Sequence, residues 1–459
     1  MRNDAILTAL AYQGIELLCK EDPQLHELFV REFRRQASSL VMVAASSIAD
    51  PSVLACEGMV TSNVTTEGYP GARFHAGCKI VDEIEQLAID RAKLVFQAQY
   101  ANVQPHSGTS ANEIVLCSLL KPGDTFLGLE LNSGGHLTHG SVVSISGQYF
   151  NAIGYGLREN GFIDYDQVYM LACKYHPKLI ICGASAYPRV IDFKQFRSIA
   201  DEVGAYVLAD ISHIAGLVAS GEHPNPIDDV HFTTTSTYKQ LYGPRGGMIL
   251  MGKDYQSPAP EGKKTLAQMI QRAVFPFFQG TPNLSSIAAK ARALAMVMTP
   301  EFKMLAHHIV VDAKCLAQYL IEKDYAVLTG GTDNHLVLVD VLANGITGVV
   351  AERALEECNI IVNKNRIPGD KKAAHITSGI RLGTNSLALR KMGIREMVQC
   401  GDLIHQVLSS ITIYSDTRYQ LVQSVKKTVQ TTVEYLCCRF PIPRYPVDFG
   451  EERGGVQYE

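Results

Sequence analysis

Thr233-Thr-Thr-Ser-Thr-Tyr-Lys239-Gln-Leu-Tyr-Gly-Pro-Arg-Gly-Gly247 decides how this chain of 459 residues is read. Five hydroxyl residues in a row lead to one lysine, and a Gly-Pro-Arg-Gly-Gly turn follows it soon after. A polar surface loop with an incidental lysine is the bland alternative. Apolar, strand-like flanks and glycines that shape a tight turn weigh against it. Such a lysine offers an amine that condenses with an aldehyde cofactor, and the hydroxyls beside it supply hydrogen bonds to phosphate or imine.

Two upstream segments suit the same chemistry. Ala209-Asp210-Ile-Ser-His213 closes an apolar strand, 29 residues before Lys239. A carboxylate at the C-terminal end of a strand can keep a ring nitrogen protonated, which turns the ring into an electron sink. Val103-Gln-Pro-His106-Ser-Gly108-Thr109-Ser-Ala-Asn112 opens an apolar helix whose free N–H groups and hydroxyls suit a phosphate. Alone, that cluster would be read as a helix cap. Its order before Asp210 and Lys239 gives it weight.

Around these segments the pattern alternates. Strands expected at Thr125–Leu129, Leu179–Cys182 and Ala205–Ala209 alternate with helices at Asp82–Val95, Asn112–Leu120 and Phe193–Val203. That alternation implies parallel βαβ units in a three-layer α/β body. Residues 1–40 have helical spacing, and 45–80, rich in Gly, Ser and Thr, reads as an extended arm. From about residue 295 the pattern becomes a long helix and then strand–helix pieces. The expected division is an N-terminal helix and arm (1–55), a large α/β domain (56–295), a small α+β domain (296–442) and a surface tail (443–459).

Composition narrows the class. Hydrophobic residues at 46% and charged residues at 19% are those of an ordinary globular enzyme. A net charge of −4 gives no nucleic-acid footprint. Eleven cysteines without CxxC spacing suggest reduced thiols and no zinc site, so no metal is expected. No apolar run approaches the roughly 18–20 residues of a membrane span, and the N-terminus does not read as a signal peptide. A cytoplasmic enzyme with no nucleic-acid or membrane partner is the expectation.

With those segments in view, the chain resembles the serine hydroxymethyltransferases, fold-type I pyridoxal-phosphate enzymes, from about residue 25 to about 441. Glu67-Gly-Tyr-Pro-Gly71, Val81-Asp-Glu-Ile-Glu-Gln-Leu-Ala-Ile-Asp-Arg-Ala92, Tyr100-Ala-Asn-Val-Gln-Pro-His-Ser-Gly108, Gly134-Gly-His-Leu-Thr-His-Gly140 and Gly330-Gly-Thr-Asp-Asn-His335 carry the likeness. It implies a mostly parallel seven-stranded sheet between helices, with a smaller α+β C-terminal domain. It also implies pyridoxal 5'-phosphate as cofactor and tetrahydrofolate as cosubstrate. By the same resemblance Lys239 carries the cofactor, Asp210 pairs with the ring nitrogen, His136 stacks on the ring and His213 lies at its phenolic side. Gly108, Thr109 and Ser236 hold the phosphate, with Gly280 reaching in from the neighbouring subunit, and Ser185 lies beside the ring. Arg381 binds the substrate carboxylate, and Glu67 is the acid–base group at the folate. Leu131, Gly135, Leu137 and Asn365 match folate contacts. The implied partners are a small amino acid, folate and a second copy of the chain, with a dimer of dimers a further option.

The departures cluster on the substrate side. Ala45 stands where the resemblance expects a serine, Thr65 and His75 where it expects tyrosines, and Tyr238 where it expects a histidine. Gly280-Thr281 replaces a Gly-Gly pair. Thr65 in place of a ring opens space beside the substrate Cα. The expected activity is therefore folate-linked hydroxymethyl transfer on an α-substituted amino acid such as the 2-methylserine/D-alanine pair. A folate-independent threonine aldolase or transaldolase is the alternative, and a catalytically silent relative is a third reading that Lys239 opposes.

Overall fold

A computed structural model describes residues 3–447. Most of the expected tail, 448–459, lies outside the described residues. The central sheet has seven strands, β1 (Tyr100–Asn102), β2 (Thr125–Leu129), β3 (Asn151–Tyr155), β4 (Leu179–Gly183), β5 (Tyr206–Asp210), β6 (Phe232–Ser236) and β7 (Gly247–Met251). Their spatial order is β1-β7-β6-β5-β4-β2-β3. Every pair is parallel except those of β7, which runs against β1 and β6.

β4, β6 and β7 are buried at every residue, as a sheet covered on both faces requires. Their side chains alternate between two cores. On β4, Ile180 and Cys182 join a cluster with Phe96, Tyr155 and Phe196, while Leu179 and Ile181 join one with Ile114, Leu116 and Phe232. Period two is the geometry of an extended chain. Because six strands run the same way, their C-terminal ends and following loops meet at one edge, where an open α/β sheet binds ligands.

The second sheet is small and antiparallel: β8 (Ala326–Val327), β9 (Leu336–Asp340), β10 (Asn363–Asn365) and β11 (Gly379–Gly383), in the order β8-β9-β11-β10. Its core includes Val337, Val339, Ile380 and Leu382. The helix Pro300–Glu322 joins the two parts. Phe302, Ala306 and Ile309 pack in the large core, and Ala313, Leu316 and Leu320 pack in the small one. The N-terminal arm also crosses over: Leu40–Val41 pairs in parallel with Ile360–Ile361, and Leu40 and Met42 lie in the small core.

Residues 45–80 are less extended than their composition suggested. Asp50 caps a helix at Pro51–Glu57, with the proline in its first turn. A hairpin, Gly68–Tyr69 with Ala72–Arg73, follows. Arg73 locks it, donating to Asp82, Glu85 and the carbonyls of Thr66 and Gly68. All eleven cysteines are free thiols. Among the described residues no helix is long and apolar enough to cross a membrane.

Asp312, on the bridging helix, is buried and its Oδ2 has no hydrogen-bond partner. Burial, aided by the Glu396 charge, pushes its carboxyl up to about 7. The folded state therefore holds a proton that the unfolded chain releases near pH ~4, and stability falls as pH rises from there to about 7. Asp312→Asn should raise Tm more at pH 8 than at pH 5, with a gain in unfolding free energy on the order of 1 kcal/mol at the higher pH. Thermal unfolding at the two pH values checks this, and a pH-independent change in Tm contradicts it.

Candidate active site

Ser107, Gly108, Thr109, His136, Ala184, Ser185, Asp210, Ser212, His213, Ser236, Tyr238 and Lys239 line one small cleft at the C-terminal edge of the sheet. Asp210 ends β5 and is buried. Its Oδ2 accepts from Asn112 Nδ2 at 2.8 Å and lies 3.1 Å from His139 Nε2, and its Oδ1 accepts from the Ser212 amide at 3.0 Å. His139 Nδ1 accepts from the His136 amide at 3.2 Å, so its proton is on Nε2, facing Asp210. Burial alone would push the Asp210 carboxyl up. The hydrogen bond from His139, with the neighbouring His136 ring and the Ser212 hydrogen bond, overcomes it and holds the acid well below the usual carboxylate range.

Thr138 Oγ1 sits 2.8 Å from His136 Nδ1 and accepts from Asn112 at 2.9 Å, so one network fixes both the carboxylate and the His136 ring. Burial holds the His136 imidazole down at about 4 despite the pull of Asp210. It is therefore a neutral, flat ring at neutral pH. His213 is likewise held well below the imidazole range by burial and by Lys239 and Arg381. Its Nδ1 has no partner.

Lys239 follows β6 and is buried. Burial lowers its amine to about 8, against the pull of Asp210 and with help from Arg381 and Arg245. Gly108 begins the helix Gly108–Leu119, capped by Ser107, whose Oγ accepts from the Ser110 amide at 3.0 Å. A Cβ on Gly108 would lie 3.1 Å from the Ser236 Cβ and 3.2 Å from Ser212 Oγ. The helix start thus closes directly on the end of β6, and the buried Ser236 Oγ has no partner. An anion there would meet free N–H groups and a hydroxyl.

Arg381 comes from the small sheet, on β11, and its guanidinium reaches Ser185 O and Asn363 Oδ1. Ser185 is held in turn by Gly134, whose carbonyl accepts from the Ser185 and Ala186 amides. Gly134 has φ 97, and a Cβ there would lie 2.5 Å from Ala186 O, so only glycine permits this approach. At the mouth, Leu131 and Leu137 are exposed, Gly135 packs against the Leu129 carbonyl, and Arg366, next to Asn365, contacts Asn132. The donor atoms of His136, His139 and Asp210 lie within 4.8 Å of one another, but they belong to this hydrogen-bonded network.

A second grouping stands apart. Thr65, Glu67, His75 and Gly280 do not line the Lys239 cleft. They lie together: the Thr66 amide donates to Thr281 Oγ1 at 3.0 Å, His75 Nε2 is 3.4 Å from Glu67 Oε2, and a Cβ on Gly280 would lie 3.6 Å from Glu67 Oε1. Tyr238 is at the cleft wall with the Arg245 guanidinium 3.8 Å above its ring. The Ala44–Ser47 turn, which carries Ala45, is tied to Tyr238 by the Ser47 hydroxyl. Sequence reading passed over His139, Asn112 and Ser212. Two were within its signals, since Asn112 lies four residues after Gly108 on one helix face and His139 three after His136.

A buried lysine amine, a carboxylate built to stay ionised, a flat neutral imidazole and a free anion cradle fit a phosphorylated pyridine aldehyde. This is the site of a fold-type I pyridoxal-phosphate enzyme. The serine hydroxymethyltransferase family matches residues 18–404, and the chain belongs to that family. It is a hydroxymethyltransferase that uses pyridoxal phosphate with tetrahydrofolate as cosubstrate.

With the Lys239 amine at about 8, the free base forms well below the usual lysine range. The rate at which stripped protein takes up pyridoxal phosphate should rise through about pH 8 and then level off. Stopped-flow absorbance between pH 6 and 10 measures it, and a rate still climbing at pH 10 would show an ordinary lysine.

Proposed function

We propose that the enzyme transfers a hydroxymethyl group to and from an α-substituted amino acid, such as the 2-methylserine/D-alanine pair. The observation that carries the reading is the contrast between a complete Lys239 cleft and a changed set of residues at Thr65, His75, Ala45 and Tyr238. Thr65 is exposed and small, directly before the Thr66–Thr281 tie that aligns it with Glu67. Where the resemblance places a tyrosine, it leaves room for a methyl on Cα.

Each residue has a task on this reading. The bound cofactor supplies the ring that accepts the electron pair of the broken Cα–Cβ bond. Lys239 would anchor it by its amine, Asp210 would keep its ring nitrogen protonated, and His136 would offer it a flat neutral ring. Gly108, Thr109 and Ser236 hold the phosphate. Arg381 would grip the substrate carboxylate by a two-pronged pair and so orient the bonds at its Cα. Glu67 moves the proton of the hydroxymethyl group. Leu131, Gly135, Leu137 and Asn365 form the lips that receive the folate.

The reading also requires two subunits. Gly280 and Glu67 are adjacent, so if Gly280 reaches a partner's phosphate, Glu67, Thr65 and His75 go with it. The N-terminal helix Asn3–Glu21 supports a dimer, since Ile6, Leu7, Leu10, Ile15 and Leu17 are all exposed in the single chain.

The test is the rate of hydroxymethyl transfer to glycine and to D-alanine, each with and without methylenetetrahydrofolate as the one-carbon donor, and of L-threonine cleavage without any folate. Folate-dependent turnover with D-alanine supports the reading. Turnover with glycine alone makes this a serine hydroxymethyltransferase with an altered pocket, and folate-independent cleavage of threonine moves it to the aldolases. Thr65→Tyr should shift the kcat/KM ratio at least about tenfold toward glycine over D-alanine. Lys239→Ala should abolish both turnover and the long-wavelength absorbance of the bound cofactor.

A further inference from the structure

The hairpin Gly68–Tyr69/Ala72–Arg73 folds the chain so that residues before and after it run side by side, and the Phe74 amide donates to Glu67 O at 3.0 Å. Gly68, with φ 101, makes this possible, because a Cβ there would lie 2.4 Å from Ala72 O. Arg73 pins the hairpin to Asp82 and Glu85 of the helix Lys79–Phe96, so the positions of Glu67 and His75 are set by a rigid base. The two oxygens of Glu67 then have different surroundings. Oε2 is 3.4 Å from His75 Nε2, and Oε1 faces the Gly280 backbone.

We infer that His75 is a positioning residue for Glu67, forming with it a two-residue proton-holding unit in which the imidazole takes one carboxylate oxygen and leaves the other to the substrate. The inference rests on reading Glu67 as the acid–base carboxylate, and goes beyond it in giving that carboxylate a proton-bearing partner. The nearby charges do not supply another. Arg73 is committed to Asp82 and Glu85, Tyr69 donates its hydroxyl to Gln271 O, and the Gly280–Thr281 segment brings no charge. Among the described residues His75 is the one ion-pair partner of Glu67. An imidazole can hold a proton on either ring nitrogen, which the tyrosine of the resemblance cannot.

The experiment compares kcat, KM and the pH profile of kcat/KM for wild type, His75→Phe, His75→Gln and Glu67→Gln, with histidine ring NMR spectra of each loaded enzyme. His75→Phe should lower kcat about ten- to a hundredfold with a small effect on KM, and change the pH profile of kcat/KM. His75→Gln should recover much of kcat, since its amide can donate to Oε2, but not the wild-type profile. The His75 ring signals, assigned by their loss in His75→Phe, should move in Glu67→Gln. A His75→Phe enzyme with the wild-type pH profile, or His75 signals indifferent to Glu67→Gln, overturns the inference while leaving Glu67 in place. A fully active Glu67→Gln enzyme fails the underlying reading itself, and the inference with it.

Discussion

The charge on Asp210 is the constraint on which the rest of the site is built. A carboxylate buried at the end of a central strand is costly to ionise. This one is ionised because Asn112, His139 and the Ser212 amide all donate to it. Each donor comes from a different element: the helix after β1, the loop after β2 and the turn after β5. To satisfy one side chain, the fold must bring those pieces to one edge of the sheet. His136 and Thr138 join the same network, so the ring that lies in the cleft is fixed by the hydrogen bonds that keep the acid charged.

Much of this was legible in the sequence, and for physical reasons. Thr125–Leu129 and Phe193–Val203 were expected at the bounds observed, because an apolar run between turn residues and an Asp-capped amphipathic helix are strong local signals. The order of Gly108, Asp210 and Lys239 along the chain foretold one cleft, since parallel strands place their C-terminal ends together. The helix at Pro51–Glu57 was missed although Asp50-Pro51 announces it, because the surrounding Ser and Thr content was read as extended. The support role of His139 depends on an Nδ1–amide contact that fixes its tautomer, and no residue spacing reveals a tautomer.

The separation of Thr65, Glu67, His75 and Gly280 from the Lys239 cleft was not legible from order at all. These residues precede and follow the cleft residues in sequence and could have lined the same cavity. What separates them is the arm, whose hairpin is nailed to the helix Lys79–Phe96 by Arg73. Thr281, one of the departures from the resemblance, has a concrete task there, accepting from the Thr66 amide where a glycine would offer no hydroxyl.

The bridging helix Pro300–Glu322 makes the angle between the two cores a chemical variable. Lys239 stands on one core and Arg381 on the other, and their relative orientation is that of two bodies joined by a continuous helix, by the N-terminal arm and by the Arg381–Ser185 contact. On the proposed reading, the carboxylate of the amino acid is held by one body and its α-nitrogen by the other. Which of three bonds at a tetrahedral carbon is aligned for rupture then depends on how the two cores are held together, and the helix that ends among Leu316 and Leu320 is one of the ties. Reaction choice in such a molecule is a matter of architecture as much as of the groups that line its pocket.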